Sequence, residues 1–504
     1  MRSKAILIVP LVLTLTLLLI TPASALFLPT NEQAATLVLG QPDFTSTGCG
    51  LGSKGVCLIS RVAVDPTTGK IFVADSGNNR VLRFSSVTKL SNGAGAEAVL
   101  GQPNFATNSP QTTQDGMDTP RGVAVDANGS LWVADVNNSR VLRFDNAATK
   151  LDGANADGVL GQPDFTSKFD LVICTTSAGL MCFPQDVAVD SSGRLWVADA
   201  ENNRVLRFDN PAAKPNGGDA DGVLGQPDFT TRGCGSGAGA MCDNFGLTVD
   251  SSGRLWVSDL EYMRVLRFDN AAAKPNGADA DGVLGQPDFT SGGTNLSQNG
   301  VNHPDGLAVD TDGRLYVADV YNGRILIFNH AASLPNGANA SYELGQPDFT
   351  TFNTGPISDT NFGPEGQAGV FFDPAAKVLW APAGDRILMF GQPYATLHIM
   401  PFIGRVNYFL PPGVTPIGSI SIRTRDGSLY TFDVLPNTRI LPERRSDKLG
   451  AGSFVALQAR YDLASAHLDA LSIGVLHTDS APPGFPTEIP TETPTPVGVP
   501  TSGP

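Results

Sequence analysis

The chain has 504 residues, of which 49 are acidic and 34 are basic, so its net charge is -15. The basic residues are scattered rather than gathered into a patch, so nucleic acid is not expected as a partner.

The amino terminus has the pattern of an export signal. Arg2 and Lys4 precede an apolar run that ends at Ile20, and the small residues Ala23-Ser24-Ala25 follow. We predict that residues 1–25 are a signal peptide and that the protein is secreted or associated with the cell surface. The apolar run falls short of the roughly 20 residues that cross a bilayer, so a retained membrane anchor is the less favoured alternative.

A phrase of five residues, Gly-Gln-Pro-Asp/Asn-Phe, recurs about every sixty positions. Repetition at this period predicts stacked copies of one supersecondary unit. Three short runs rich in β-branched and aromatic residues lie between successive phrases, and turn residues separate them. With the phrase as a fourth strand, residues 26–393 are predicted to form an all-β, six-bladed β-propeller with four-stranded antiparallel blades. The phrase begins at Gly40, Gly101, Gly161, Gly225, Gly285 and Gly345.

The first copy of the phrase precedes all six strand triplets. We therefore predict that Val38 to Gln41 pairs with Arg386 to Phe390, which completes blade six and closes the ring. The alternative gives blade six its own last strand from Tyr394 to Met400.

Two further features recur in the blades. The second strand always carries an aromatic residue, which we interpret as a wedge packed between adjacent blades, with carbohydrate stacking as the alternative. An Asp that ends the second strand and an Arg that begins the third, such as Asp199 and Arg204, are interpreted as a structural pair rather than a ring for an anionic ligand. The aromatic residues are Phe72, Trp132, Trp196, Trp256, Tyr316 and Trp380.

The six cysteines form three pairs, each separated by eight positions. Because they recur at the same place in three repeats, we predict three local disulfides, which agree with an exported protein. A metal site is the less favoured alternative. The pairs are Cys49 with Cys57, Cys174 with Cys182, and Cys234 with Cys242.

Over roughly residues 36 to 393, the elements Gly-Val-Ala-Val-Asp, Leu-Trp-Val-Ala-Asp and Asn-Asn-Arg-Val resemble the NHL repeat. The sixth copy departs from it, with Trp380-Ala381-Pro382-Ala383 in place of the usual residues. The resemblance implies a six-bladed propeller used mostly as a binding platform. Related six-bladed propellers include lactonases and lyases, which gather metal ligands or a His and Tyr at the central channel.

The binding surface is predicted on the face that carries the Asn-rich turns and the long cysteine-bearing segments. The channel entrance is expected at the residues just before each first strand, and His303 is a possible base or ligand there. The leading hypothesis is a non-enzymatic binding or scaffold propeller for a protein, peptide or glycan. The alternative is a propeller lyase or lactonase with a metal in the channel. The candidate entrance residues are Ser60, Arg121, Gln185, Phe245, Asp305 and Ala368.

No cofactor is expected, with calcium as the one possibility. The alternating acids of Asp219-Ala220-Asp221-Gly222 and its copy at Asp279 can bind calcium, but they lack the closing Glu of an EF-hand loop and are interpreted as turns. We expect a monomer.

After the propeller, residues 394–480 lose the repeat but keep five strand-like runs, which predict a small β-barrel or sandwich. These runs weakly resemble small β-domains of exported bacterial proteins. Residues 481–504 are rich in Pro and Thr and are predicted to be an extended, solvated tail.

Overall fold

The computed structural model describes residues 29–31, 33–169, 174–352, 355–363, 369–391, 400–410, 418–424, 429–441, 454–462 and 467–477. The predicted signal peptide, the Pro- and Thr-rich tail, Ala368 and residues 394–399 of the alternative sixth-blade strand lie outside this part. The chain divides into two compact units, residues 25–393 and residues 394–504 together with 1–24.

The first unit is a six-bladed β-propeller, as predicted, and each blade is a four-stranded antiparallel sheet. Blade one comprises β2 (Ile59–Val64), β3 (Ile71–Asp75), β4 (Arg80–Phe84) and β5 (Ala98–Leu100). Blade two comprises β6 (Pro120–Val125), β7 (Leu131–Asp135), β8 (Arg140–Phe144) and β9 (Gly158–Leu160). Blade three comprises β10 (Pro184–Val189), β11 (Leu195–Asp199), β12 (Arg204–Phe208) and β13 (Gly222–Leu224).

The other three blades follow the same plan. Blade four comprises β14 (Asn244–Val249), β15 (Leu255–Asp259), β16 (Arg264–Phe268) and β17 (Gly282–Leu284). Blade five comprises β18 (Pro304–Val309), β19 (Leu315–Asp319), β20 (Arg324–Phe328) and β21 (Tyr342–Leu344). Blade six comprises β22 (Phe371–Asp373), β23 (Val378–Ala383), β24 (Arg386–Phe390) and the amino-terminal β1 (Leu37–Leu39). The first strands of consecutive blades contact one another in a closed circuit, so they surround the central channel.

Short 3-10 helices are the helical elements of the described residues, and they lie in the turns. They span Ser76–Asn78, Val87–Lys89, Val136–Asn138, Ala147–Thr149, Ala200–Asn202, Pro211–Ala213, Ala271–Ala273, Val320–Asn322 and Ala331–Ser333.

The predicted ring closure is confirmed. Strand β1 pairs antiparallel with β24, with Val38 opposite Leu388. The Thr36 N–H donates to the Met389 carbonyl at 2.7 Å, and all three residues of β1 are buried. Blade six is therefore built from both ends of the propeller segment.

The Gly-Gln-Pro-Asp-Phe phrase corrects one expectation, because it forms the turn after the outer strand and not the strand itself. In blade three, β13 ends at Leu224, and Gly225 takes a φ of +83°, a conformation that favours glycine. Gln226 Nε2 donates to the Asn203 and Gly233 carbonyls at 2.9 and 2.7 Å, while Asp228 Oδ1 accepts the Thr230 N–H at 2.8 Å. The phrase is thus a hydrogen-bonded clasp at the outer edge of the blade.

The repeated aromatic residues are wedges between blades, as predicted. Trp132 packs with Val187 and Leu195 of the next blade, and Trp380 packs with Ile71 of blade one. All six aromatic side chains are buried, and the burial of each contributes on the order of 1.5–3 kcal/mol.

The Asp and Arg pairs are structural. Arg204 is fully buried, its Nε donates to Asp199 at 2.7 Å, and its Nη1 donates to the Phe229 carbonyl of the clasp at 2.6 Å. In the other blades too, the Arg that begins the third strand donates to the carbonyl of the Phe in the clasp. In blade six, Arg386 donates to the Phe44 carbonyl, which belongs to the amino-terminal copy of the phrase. Buried guanidinium groups with these partners are not available to an anionic ligand.

In the second unit, five strands form a closed barrel in the order β25-β26-β27-β29-β28. The barrel is one of the two predicted architectures, and β27 pairs with β29 in parallel. The strands are β25 (Met400–Leu410), β26 (Gly418–Thr424), β27 (Leu429–Leu441), β28 (Phe454–Asp462) and β29 (His467–His477).

Candidate functional site at the channel mouth

The three predicted disulfides are present, joining Cys49 to Cys57, Cys174 to Cys182 and Cys234 to Cys242. Each lies in the segment that leads into the first strand of a blade. The Gly77 N–H, in the turn between β3 and β4, donates to the Cys57 carbonyl at 2.9 Å. The disulfide-bearing segments and the turns between second and third strands therefore share one face of the propeller, called here the loop face.

One position on the loop face combines an unusual backbone with variable side chains. The residue directly before the first strand is left-handed in five blades, although none of the five is glycine. A non-glycine residue in this conformation costs on the order of 1–3 kcal/mol, and such strain concentrates at functional sites. These mouth residues are Leu58 (φ 50°), Thr119 (57°), Phe183 (51°), Asp243 (56°) and His303 (62°).

The scaffold holds each mouth residue by its backbone. In blade two, the N–H of Asp118, which precedes the mouth residue, donates to Asp135 Oδ1 at 2.7 Å, and the Thr119 N–H donates to Asn79 Oδ1 of blade one at 2.7 Å. In blades one, three and four, the residue before the mouth residue is the second cysteine of a disulfide. The side chains at this position are therefore presented by a rigid frame that does not depend on their identity.

Below the mouth, charged side chains from four blades meet across the channel. Arg61 of blade one donates through Nε to Asp186 of blade three at 3.0 Å and through Nη2 to Asp305 of blade five at 2.6 Å. Arg121 of blade two donates through Nη2 to the other oxygen of Asp305 at 2.9 Å. We call these four residues the channel cluster, and their ion pairs bridge blades that are not neighbours in the ring.

The charges of the cluster perturb one another. Burial opposes ionisation of Asp305, but the positive charges of Arg61 and Arg121 outweigh it and lower its pKa. For Asp186, burial is the stronger effect and raises the pKa despite Arg61. Burial also lowers the pKa of Arg121, although Asp305 opposes the change.

The sequence identified part of this cluster. The sequence places Arg121 and Asp305 just before the first strands, whereas in the structure they are the second residues of β6 and β18, where their side chains meet. The Arg121 guanidinium also lies 4.9 Å from the Phe245 ring centroid. Gln185 is buried at 8% exposure, and its Oε1 has no hydrogen-bond partner within the described residues. Ser60 is likewise buried and its hydroxyl lies 2.8 Å from that of Ser76.

Arg61 and Asp186 escaped the sequence prediction. Each lies directly after a predicted entrance residue, at a position of the first strand where the other four blades have glycine. A residue other than glycine at this position was therefore a usable sequence signal for the cluster. At Gly122 an added Cβ would meet the Asp186 backbone at 2.5 Å, and at Gly246 it would meet the Asp305 carbonyl at 1.9 Å. A register shift at the start of these first strands, as between Pro184 and Asp186, re-aims the side chains there.

His303 is half-buried on the aromatic side of the mouth. Its ring lies 4.3 Å from that of Tyr321 and 6.0 Å from that of Phe245. Its Nδ1 is buried without a hydrogen-bond partner in the part of the chain that the structure describes, and burial lowers its pKa. Burial therefore favours the neutral form of the ring.

The blade-four part of the mouth, next to His303, is acidic. Burial, together with the negative charges of Glu201 and Glu261, raises the pKa of Asp243 to about 6. Both glutamates are exposed in the turns between second and third strands. The mouth thus has an acidic rim of Glu201, Asp243 and Glu261 above a floor that contains two arginines.

A cavity of about 640 Å³ opens on the loop face above blades one and two. Its lining includes Arg121, the side chains of Ser60 and Thr119, and Leu58, which is 58% exposed. Asp118 also lines it, and its carboxylate accepts from Asn137 Nδ2 at 3.0 Å. The cavity is large enough for the end of a chain molecule or a small ligand.

Metal-compatible groupings are sparse. Within the described residues, the grouping of three potential metal ligands is Cys49, Cys57 and Asp385, and its two cysteines are joined in a disulfide. The turn acids considered for calcium are engaged: Asp221 contacts Lys214 Nζ at 3.0 Å and accepts the Asp209 N–H at 2.6 Å.

The fold and the repeated clasp define a six-bladed β-propeller. Four segments match the NHL repeat family, residues 57–84, 117–144, 181–208 and 301–328. The chain is 24% identical to zebrafish teneurin-3 over 318 residues, which is 57% of this chain and 11% of teneurin-3. It is also 24% identical to human teneurin-4 over 314 residues, with the same coverage. The chain therefore spans about a tenth of the length of these relatives.

A shorter match, 31% identical over 91 residues, is to a probable peptidyl-alpha-hydroxyglycine alpha-amidating lyase of Caenorhabditis elegans, and it covers 18% of this chain and 22% of that protein. Similar solved structures include virginiamycin B lyase from Staphylococcus aureus, with a TM-score of 0.35, 13% identity and coverage of 66% of this chain and 80% of that one. A gluconolactonase from Xanthomonas campestris has a TM-score of 0.38, 16% identity and coverage of 71% and 99%. No helix in the described part of the chain has the length and hydropathy that a membrane crossing needs.

Proposed function

We propose that this protein is an extracytoplasmic, non-enzymatic binding propeller that receives the end of a peptide, protein segment or glycan at the channel mouth. One observation carries the proposal: the five mouth residues occupy the same strained backbone position yet differ completely in side-chain chemistry. A scaffold that keeps the position and varies the side chain is suited to recognition. The three disulfides and the similarity to teneurins support an oxidising, extracellular setting.

The test uses variants that remove two of the mouth side chains without straining the backbone. Glycine adopts positive φ readily, so Phe183→Gly and His303→Gly remove side chains while relaxing the backbone. The mature protein and the double variant are screened on peptide and glycan arrays. We expect ligands that bind the wild type and lose at least tenfold in affinity with the double variant.

The matched control lies on the opposite face. Arg254→Lys alters an Arg and Asp pair in the turn between β14 and β15 and is expected to leave binding unchanged. If every bound ligand is retained by the double variant, or is lost equally by the control, the mouth is not the binding surface.

The second candidate function is a metal-dependent lyase or lactonase. It is favoured by His303, whose ring lies beside the charged cluster with an Nδ1 that has no hydrogen-bond partner among the described residues. Metal analysis of the purified mature protein separates the two candidates: a stoichiometric metal that is lost in His303→Gly supports the enzyme, and its absence from the wild type supports the binding propeller.

We propose that the acidic turns keep their structure without a bound ion, with calcium as the alternative. Because the Asp221 and Asp281 carboxylates already contact lysines, we expect the melting temperature to be unchanged on chelation with EGTA. A fall in melting temperature that added calcium reverses would establish a calcium site.

A further inference from the structure

We propose that the channel mouth anchors a single carboxylate group on Arg121, carried by a ligand that is otherwise neutral or cationic. This inference rests on the proposed function, because it names the chemical group that the binding propeller recognises.

Arg121 has donor capacity that the protein leaves unused. A guanidinium group carries five N–H donors. Its Nη2 pairs with Asp305 at 2.9 Å, whereas its Nε is buried and has no acceptor within hydrogen-bond distance among the described residues. A buried donor without an acceptor is destabilising, so an added ligand oxygen at the guanidinium group would be favourable.

The nearby protein carboxylates are already committed. Asp305 accepts from Arg61 through one oxygen and from Arg121 through the other. Asp186 accepts from Arg61 Nε at 3.0 Å and from the Leu247 N–H at 3.1 Å. An additional anionic acceptor for Arg121 must therefore come from outside the cluster, and a carboxylate gives the strong charge-assisted hydrogen bond.

Arg121 is reachable from solvent through the cavity. Its side chain is 21% exposed and lines the cavity of about 640 Å³, together with the half-buried Thr119 and the exposed Leu58. Ser60 and Asn79 also line the cavity and add a hydroxyl and an amide group. The lining thus combines a cation, hydroxyl and amide groups and the apolar residues Leu58 and Ile59, which suits a carboxylate with an apolar neighbour.

The surrounding acids limit the class of ligand. Asp118 lines the same cavity. At the acidic rim, burial and then the negative charges of Glu201 and Glu261 raise the pKa of Asp243 to about 6. These acids would repel a polyanion more strongly than a ligand with one carboxylate. The chemistry fits one carboxylate, such as the free carboxyl terminus of a peptide or the acid of a uronic sugar.

The experiment compares matched acids and neutral analogues by titration calorimetry at pH 7. The probes are N-acetyl-Gly-Leu and its carboxyl-terminal amide, and D-glucuronate and D-glucose. We expect one acid to bind the wild type at least tenfold more tightly than its neutral partner, equivalent to about 1.4 kcal/mol. The acid that shows the preference identifies the source of the carboxylate.

The variant Arg121→Lys keeps the positive charge opposite Asp305 but removes the fork of donors. It is expected to lose the acid preference, whereas Arg254→Lys on the opposite face keeps it. Thermal unfolding reports whether each variant is folded, and the acid and neutral comparison on the wild type stands even if Arg121→Lys does not fold.

Three results would overturn the inference: no acid binds the wild type, acid and neutral probes bind equally, or folded Arg121→Lys keeps the preference. Array ligands that depend on the mouth but show no acid preference would remove only the carboxylate assignment. Loss of all dependence on the mouth would remove the proposed function itself.

Discussion

Arg61 provides the sharpest test of the channel cluster. Arg61→Met keeps a similar volume but removes the contacts to Asp186 and Asp305 at 3.0 and 2.6 Å. Asp305 retains Arg121, whereas Asp186 retains only backbone donors such as the Leu247 N–H. The side chains of Arg61 and Asp186 are 6% and 5% exposed, so an unpaired carboxylate would remain buried. Removing one partner of a buried pair costs about 3–5 kcal/mol, and we expect the free energy of unfolding to fall by this amount at pH 7.

The assay is urea unfolding followed by tryptophan fluorescence. The double variant Arg61→Met/Asp186→Asn leaves no unpaired charge at Asp186 and is expected to recover at least half of the loss. Lys70→Met is the matched control, because Lys70 pairs with Glu97 at the surface, with 26% and 36% of their side chains exposed; such pairs contribute about 0–1 kcal/mol.

The cost should also depend on pH. Burial already raises the folded-state pKa of Asp186 above its unfolded value, and loss of Arg61 raises it further. The destabilisation then decreases as the pH falls through the folded-state pKa, because protonation neutralises the buried charge. A loss below about 1 kcal/mol at pH 7, or a double variant no more stable than Arg61→Met, would refute the reasoning.

Three further predictions address other parts of the propeller. Leu39→Ala in the fully buried closing strand β1 should lower the free energy of unfolding by about 2–5 kcal/mol; an unchanged urea midpoint would contradict the closure. Tyr262→Asn should raise the free energy of unfolding by about 1 kcal/mol, because in other blades an Asn at this position donates to the buried Asp, as Asn202 does to Asp199 at 2.9 Å. A lower melting temperature would contradict it. Asp243 has a folded-state pKa of about 6, above the ordinary value of 3.8 for an aspartate, so its ionisation destabilises the fold above that pKa. The wild type should gain melting temperature relative to Asp243→Asn between pH 7 and pH 5; parallel profiles would contradict the assignment.

The ring architecture was predictable because the period of the sequence repeat determines the length and number of the blades. Copies sixty residues apart fix the blade count, and the surplus phrase at Gly40 predicted the pairing of Val38 with β24. The disulfides followed from the equal spacing of the cysteines. The phrase was nevertheless misassigned as a strand, since Gly225 needs a positive φ and Gln226 bonds to carbonyls outside the ladder.

The site was only partly predictable. The location of Arg121 and Asp305 at the start of a first strand was enough to select them from the sequence. The contact between them, however, depends on a bulge that re-aims the side chains. The left-handed backbone of Phe183 or His303 leaves no sequence signal, because residues of these types rarely adopt it. Only the surrounding hydrogen bonds impose it, and these join residues far apart in the chain.

The closing strand has a consequence for how the protein is made. Thr36 and Met389, which are hydrogen-bonded in the closed ring, are 353 positions apart. A chain that emerges from its amino terminus therefore releases the apolar Leu37–Leu39 first and gives this strand its partner last. Throughout synthesis, the incomplete ring presents two unpaired edges, one at each end of the growing assembly. Ring closure thus depends on one late step, the pairing of β1 with β24. Any arrest of synthesis before β24 leaves a product with both edges open to association.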